Sequence, residues 1–132
     1  MNDISRLCIH TMTTRSWTLA EAAAAYARAS VPAITVWRQH LAPEGLETSR
    51  RILDDAGLQV AGLCRGGFFP AETEAARQEA IDDNRRAIDE AAAIGAPLVV
   101  LVCGALPAVS LTESRKMITD GIAAVLDHAE AV

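Results

Sequence analysis

The segment from residue 81 to residue 104, IDDNRRAIDEAAAIGAPLVVLVCG, constrains the fold more than any other part of the chain. Apolar and small residues recur in it every three or four positions, which predicts a helix with one face against a sheet. Gly95 and Pro97 end that helix, because glycine adopts the left-handed conformation of a helix C-terminus and proline cannot continue helical hydrogen bonding. The unbroken apolar run at residues 98–103 predicts a strand covered on both faces, and therefore a parallel sheet. The predicted helix face consists of Ile81, Asn84, Ile88, Ala91 and Gly95.

Other parts of the chain repeat this unit of helix and strand. Thr18 and Glu21 have the spacing of a capping box at the start of a helix, and Pro32 separates that helix from a run rich in β-branched residues. A glycine-rich loop, residues 65–70, follows the third predicted strand. The order of strand and helix, repeated four times, fits an open doubly wound sheet or part of a (β/α)8 barrel. The predicted strands cover residues 6–11, 33–38, 59–64 and 98–103, and the predicted helices cover residues 18–29, 46–56, 81–95 and those from 111 onward.

Composition and charge argue against several classes of protein. The 132 residues have the length of one domain, and a hydrophobic content of 51% argues against disorder. A net charge of −5 without a basic block makes nucleic acid a poor partner. The three cysteines lack CxxC spacing, as expected for small buried residues in a reducing compartment. The polar N-terminus lacks the apolar core of a signal peptide, and the longest apolar stretch, residues 97–111, is too short for a membrane span, so we expect a cytoplasmic protein.

The ends of the predicted strands lack the common motifs of open α/β sheets. No GxGxxG follows the first strand, and no P-loop sequence ending in Gly-Lys-Ser or Gly-Lys-Thr occurs. The first strand leads into His10, Thr11 and Met12, where a receiver domain would carry an acidic cluster. The paired glycines Gly66 and Gly67 come after the third strand and match neither glycine motif.

Three segments carry a resemblance to a known family, namely IHTMTTRSWTLAEAAAAYARASVPAITVWR, AGLQVAGLCRGGFFP and IDDNRRAIDEAAAIGAPLVVLVCG. They resemble the N-terminal half of the sugar phosphate isomerase/epimerase family, the xylose-isomerase-like TIM barrels that include the AP-endonuclease type 2 relatives. The resemblance implies an α/β fold, the (β/α)4 half of a TIM (β/α)8 barrel, with parallel strands each followed by a helix. It also implies that residues 1–132 are a single incomplete domain of a protein of carbohydrate metabolism.

The same resemblance implies an activity for the complete barrel. In the family, a divalent metal (Mn, Mg or Zn) holds the oxygens of the sugar, and paired glutamates move a proton between adjacent carbons through an enediolate. Those groups come from strands five to eight, whereas this sequence ends before a fifth strand. We therefore expect no catalytic residue, no metal ligand and no bound metal in this chain alone, and a small carbohydrate as the substrate of the complete barrel. A fragment, a truncated product and a natural half-barrel all fit this pattern.

Four residues at the strand ends are candidates for substrate binding, because ligands of a βα barrel meet the carboxyl ends of its strands. His10 is a hydrogen-bonded structural histidine, a sugar contact or a metal ligand without a carboxylate companion. Trp37 is a stacking wall for a sugar or a core residue, and alternation directs either Trp37 or Arg38 to the barrel axis. Arg65 binds a hydroxyl, carboxylate or phosphate, or forms a surface ion pair, and Gly66 lets backbone amides approach the ligand.

The other polar residues are expected on solvated surfaces. Adjacent carboxylates on a helix point about 100° apart and cannot act together on one atom. These residues are His40 and Glu44 after the second strand, His128 on the last helix, and the pairs Asp54-Asp55, Asp82-Asp83 and Asp89-Glu90.

A second interpretation is a non-catalytic half-barrel that acts as an assembly or binding module. Four strands leave two edges unpaired, and the faces of the strands that would line a barrel lose their partners. Burial of roughly 500 Å² of such surface is worth about 12 kcal/mol at about 25 cal/mol per Å². We therefore expect a homo-oligomer or association with a complementary half-barrel.

Overall fold

The computed structural model of the protein describes residues 3–104 and 106–132. Within these residues, four strands alternate with four helices in the predicted order. Short 3-10 turns follow the first two strands, at Thr11–Thr14 and Arg38–His40. The strands are β1 (Cys8–His10), β2 (Ala33–Trp37), β3 (Gln59–Gly67) and β4 (Val99–Val102), and the helices are α1 (Leu19–Arg28), α2 (Leu46–Asp55), α3 (Glu74–Ile94) and α4 (Leu111–Ala131).

The strands form one parallel sheet in the order β1-β2-β3-β4. Ile9 pairs with Ile34, and Trp37 pairs with Cys64. Each helix returns the chain to the same end of the sheet, so the carboxyl ends of all strands lie along one edge. This arrangement confirms the predicted α/β class, and the strand order is that of consecutive strands in a (β/α)8 barrel.

The hydrophobic core lies between the sheet and helices α1, α2 and α3. Ile34 and Val36 of β2, with Leu63 of β3, are completely buried in it. Side chains alternate along a strand, so Thr35 and Trp37 lie on the opposite face of the sheet, which would line a barrel. The helices contribute Leu19, Ala22, Ala23, Tyr26, Leu53, Ala91 and Ile94 to the core.

The helix ends largely follow the predicted signals. Glu21 N–H donates to Thr18 Oγ1 over 3.2 Å and Thr18 N–H donates to Glu21 Oε2 over 2.8 Å, which confirms the capping box. Gly95 ends α3 in the left-handed conformation, with φ +72°. The predicted start of α3 at residue 81 is wrong, because the helix begins at Glu74. Its first turns are polar and lack an apolar stripe, and the side chain of Thr73 caps them. No helix within residues 3–104 and 106–132 is long and apolar enough to cross a membrane.

Strand β4 is less buried than its apolar sequence predicts. Val100 is 38% exposed and Leu101 is 40% exposed, so the prediction of a strand covered on both faces is wrong. β4 is the last strand in the sheet order, and α4 packs chiefly against α3 rather than over β4. An apolar groove of about 390 Å³, named here the α4 groove, therefore opens between α3, β4 and α4. Its lining includes Ile88, Leu98, Leu101, Ile122, Val125 and Leu126.

Candidate functional site

Three of the four residues predicted for the site meet where β1, β2 and β3 end. His10 is the last residue of β1 and Trp37 is the last residue of β2. Trp37 pairs with Cys64, so Arg65 lies one residue beyond it on the neighbouring strand. Trp37 Nε1–H donates to His10 Nδ1 over 3.2 Å, and the guanidinium carbon of Arg65 lies 5.8 Å from the centroid of the Trp37 ring. Trp37 therefore contacts both other residues.

A β-bulge places the side chain of Arg65. Cys64 pairs with Val100 and Gly66 pairs with Leu101, which leaves Arg65 without a partner in β4. A bulge bends its strand and re-aims the side chain of the extra residue. Arg65 is accordingly exposed, while the residues on either side of it are buried. Burial raises the pKa of the Cys64 thiol, which keeps it protonated and a poor nucleophile.

Phe68, which the sequence did not single out, completes the cluster. Its φ of +56° lies in the left-handed region, which residues other than glycine adopt at an energetic cost. Its N–H donates to the Val102 carbonyl oxygen over 2.8 Å, which fixes the turn after β3. Its ring centroid lies 4.7 Å from the guanidinium carbon of Arg65. The four residues His10, Trp37, Arg65 and Phe68 are named here the strand-end wall.

Buried hydrogen bonds hold the wall from behind. Thr11 Oγ1 accepts from Trp37 N–H over 3.0 Å and lies 3.2 Å from His40 Nδ1. The Tyr26 hydroxyl, on α1, donates to the His10 carbonyl oxygen over 3.4 Å. The backbones of His10 and Trp37 are thus tied to α1 and to the buried Thr11 in the turn after β1. Their side chains stay accessible, with His10 exposed and Trp37 half-buried.

His40 is buried rather than solvated, which corrects the prediction from sequence. The chain after β2 folds into a 3-10 turn that directs the imidazole inward. Its Nε2 lies 3.4 Å from the Arg15 carbonyl oxygen, which can only accept, so Nε2 carries the proton. Nδ1 is then free to accept from the Thr11 hydroxyl. These partners give His40 a structural role.

Gly66 lies inside β3 and not in a loop, so the predicted loop placement is wrong. A Cβ at Gly66 would lie 2.5 Å from Asn84 Oδ1, and packing against α3 therefore requires glycine without any ligand. The side chain of Asn84 occupies this space because it hydrogen-bonds the backbone of Gly67. A role for Gly66 in ligand binding stays a prediction.

Arg38, the first residue of the 3-10 turn after β2, points away from the wall and joins that turn to α3. Its Nε donates to Glu90 Oε2 over 2.6 Å, and its Nη1 donates to Asp83 Oδ2 over 2.8 Å. These hydrogen bonds hold the pKa of the Asp83 carboxyl below its ordinary value. Of the two neighbours, Trp37 therefore lies with the strand ends and Arg38 with the helices. The prediction that Asp83 and Glu90 belong only to a solvated face is wrong.

The remaining polar residues lie on the surface or join helices. Asp54 pairs with Arg50 on the exposed side of α2 over 2.7 Å. His128 is half-buried, and its Nε2 lies 2.7 Å from Asp89 Oδ1, which links α4 to α3. Glu44 is half-buried in the loop before α2.

The described residues do not fit the divalent metal that the resemblance implies. In residues 3–104 and 106–132, no group of three or more His, Cys, Asp or Glu side chains is placed to hold a metal ion. On the wall, His10 Nδ1 already accepts the indole N–H of Trp37, and a single imidazole is a poor metal site. The expectation that this chain alone binds no metal stays a prediction.

The family of the chain follows from its sequence. A sequence model of the xylose isomerase-like TIM barrel family matches residues 19–132. The chain belongs to this family. The match confirms the resemblance carried by the three sequence segments. No curated protein matches the sequence.

Three solved structures share the fold of this family member. Protein SMc04130 from Sinorhizobium meliloti 1021 is 46% identical, with a TM-score of 0.91 over 98% of this chain and 48% of that chain. A xylose isomerase-like TIM barrel/4-hydroxyphenylpyruvate dioxygenase fusion protein is 20% identical, with a TM-score of 0.78 over 94% of this chain and 20% of that chain. D-psicose 3-epimerase, crystallised in the presence of D-fructose, is 17% identical, with a TM-score of 0.74 over 94% of this chain and 48% of that chain. The last two likenesses show the fold alone. The chain spans about half the length of the first and third structures and less of the second.

Proposed function

We propose that this chain supplies part of the substrate wall of a sugar isomerase or epimerase, and that the strand-end wall binds a small carbohydrate. The observation that carries the proposal is the contact of Trp37 with both His10 and Arg65 at the ends of adjacent parallel strands. Ligands of (β/α)8 barrels bind at this end. Membership of the xylose isomerase-like family supports a sugar as the ligand.

The wall has the chemistry to orient a sugar ring. The half-buried indole of Trp37 offers an apolar face to the C–H groups of the sugar. The N–H groups of Arg65 and His10 donate hydrogen bonds to its oxygens. Isomerisation or epimerisation moves a proton at adjacent carbons, and the wall contains no carboxylate for that step. The contribution of this chain is therefore binding and orientation, and proton transfer belongs to residues of the proposed complete barrel outside this sequence.

Calorimetry on the chain tests the proposal, with D-fructose, D-psicose and D-glucose as ligands. Trp37→Ala should weaken binding about fivefold or more, because an aromatic contact is worth about 1 kcal/mol. Trp17→Ala is the matched control, since Trp17 lies before α1, outside the wall, and is 41% exposed. Equal effects of the two substitutions, or no binding of any sugar by the chain, would contradict the proposal.

The α4 groove favours a second candidate function, that of an assembly module. Leu98, Ile122 and Leu126 are exposed apolar side chains of this groove. Contiguous exposed apolar surface is typical of interaction sites. Under this alternative, another copy of the chain or a complementary half-barrel covers the groove, and sugar binding is not required.

A further inference from the structure

The Arg65 guanidinium has no counter-charge among the residues that the structure describes. Among residues 3–104 and 106–132, no hydrogen bond or ion pair involves its N–H groups. Arg38, by contrast, is neutralised by the carboxylates of Asp83 and Glu90. The chain has more acidic than basic residues, with a net charge of −5. A shortage of carboxylates in the sequence therefore does not explain why none of the described ones pairs with Arg65.

Two aromatic rings hold the guanidinium instead. The ring centroid of Phe68 lies 4.7 Å from the central guanidinium carbon of Arg65, and the ring centroid of Trp37 lies 5.8 Å from the same carbon. Contact with a ring uses the flat face of a guanidinium and leaves its five N–H donors, which lie in the plane, available to a ligand. The left-handed backbone of Phe68 carries a conformational cost, and it brings this ring over Arg65. The arginine is thus oriented by contacts that do not consume its hydrogen bonds.

His10 presents a further donor on β1, on the other side of Trp37 from Arg65. The indole N–H of Trp37 can only donate, so His10 Nδ1 accepts and its imidazole is protonated at Nε2. The side chains of the wall therefore offer N–H donors, from Arg65 and from His10 Nε2. None of the described hydrogen bonds or ion pairs brings a carboxylate to either residue.

A surface of donors discriminates between neutral and acidic sugars. A hydroxyl group is both donor and acceptor, and its own proton finds no partner among these side chains. Carboxylate and phosphate oxygens only accept, and they bind a guanidinium through two parallel charge-assisted hydrogen bonds. We propose that the strand-end wall is an anion subsite, in which Arg65 and His10 bind the carboxylate or phosphate of an acidic sugar. This inference rests on the proposed function for the presence of a sugar at the strand ends.

Calorimetry with matched ligands tests the inference on the chain itself. D-fructose 6-phosphate is compared with D-fructose, D-glucuronate is compared with D-glucose, and inorganic phosphate is measured alone. At least one acidic sugar should bind about tenfold to a hundredfold more tightly than its neutral counterpart, the range expected for hydrogen bonds to a charged group. A preference for D-fructose 6-phosphate over D-fructose would assign the subsite to phosphate. A preference for D-glucuronate over D-glucose would assign it to carboxylate.

Variants assign the preference to Arg65. Arg65→Gln should abolish it, and Arg65→Lys, which keeps the charge but not the planar fork, should retain part of it. Arg51→Gln is the matched control, because Arg51 is exposed on α2 and, among the described residues, its side chain bonds only the Thr48 hydroxyl. Circular dichroism checks that each variant is folded.

Each result separates the inference from the function on which it rests. Equal binding of neutral and acidic sugars, weakened by Trp37→Ala, would overturn the anion subsite and leave the sugar site standing. Persistence of the preference in Arg65→Gln would overturn the subsite as well. Binding of inorganic phosphate as tight as that of the sugar phosphate, lost in Arg65→Gln, would support the anion subsite and argue against recognition of the sugar. No binding of any ligand would overturn both.

Discussion

The side-chain amide of Asn84 hydrogen-bonds both backbone groups of Gly67. Oδ1 accepts from the Gly67 N–H over 2.6 Å, and Nδ2 donates to the Gly67 carbonyl oxygen over 2.8 Å. Asn84 is buried in α3, and Gly67 is the last residue of β3. This pair attaches α3 to the end of the strand from which Arg65 and Phe68 reach the strand-end wall.

Replacement of Asn84 by alanine should destabilise the fold. Asn84→Ala leaves a buried N–H and a buried carbonyl without partners, which costs about 2 to 4 kcal/mol. Urea unfolding followed by circular dichroism measures the loss. Gln78→Ala is the matched control, because Gln78 lies on the exposed side of the same helix and its side chain hydrogen-bonds Asp82. A similar free energy of unfolding for the two variants would contradict the structural role of Asn84.

The Arg38 to Asp83 ion pair should make stability depend on pH in acid. The pKa of Asp83 is lower in the folded chain than its ordinary value of about 3.9, so its contribution is complete above that value. The contribution is lost as the pH falls through the lower, folded pKa. Because Asp83 is 43% exposed, solvent screening limits its size to about 1 kcal/mol.

A double-mutant cycle measures this contribution. Asp83→Asn should lower the free energy of unfolding near neutral pH and have a smaller effect as the pH falls through the lowered, folded pKa of Asp83, where the wild-type carboxylate takes up a proton. In an Arg38→Gln background the effect of Asp83→Asn near neutral pH should shrink, because Arg86 is then the remaining partner among the described residues. An effect of Asp83→Asn that did not change with pH would count against this assignment.

The α4 groove should drive self-association of the chain. Burial of its exposed leucine and isoleucine side chains against a second copy is favourable by about 25 cal/mol per Å². Leu126→Glu should reduce association, because it places a charge in the groove, where Leu126 is 52% exposed. Leu111→Glu is the control, since Leu111 lies at the start of the same helix, outside the groove, and is 65% exposed. Sedimentation velocity measures both variants, and a monodisperse wild-type monomer would disprove the prediction.

The chain alone should bind divalent metal only weakly. No group of three potential ligands is present among the described residues, so Mn²⁺ should find only scattered surface carboxylates. Titration calorimetry with Mn²⁺ and Mg²⁺ should show weak, non-stoichiometric heats. A stoichiometric site of micromolar affinity would require ligands that the described residues do not bring together.

Much of the secondary structure is determined by sequence because its signals are local. The capping box at Thr18 and Glu21, the left-handed glycine at Gly95 and the apolar run of β4 each depend on residues a few positions apart. Such signals act through backbone geometry and side-chain spacing, which need no knowledge of distant contacts. The order of four strands and four helices, and the parallel sheet, follow from them.

The candidate site was predictable in part for the same reason. His10, Trp37 and Arg65 were found because each stands near the end of a predicted strand, and parallel strands end along one edge. Phe68 was missed, although the Gly66-Gly67 pair before it signals an unusual backbone. A glycine pair shows that the chain bends, but not which ring the bend places over Arg65.

Other features were decided only by contacts between residues far apart in the sequence. Arg38 lies 45 residues from Asp83 and 52 residues from Glu90, and only the packing of α3 against β3 and α2 brings them together. His40 is drawn inward by Thr11, which lies 29 residues earlier, although its local sequence is that of a solvated loop. The bulge that exposes Arg65 depends on the register between β3 and β4, and periodicity within one strand carries no information about its neighbour. Local chemistry thus determined the elements of this protein, while the register and packing of those elements determined which side chains meet at the strand ends.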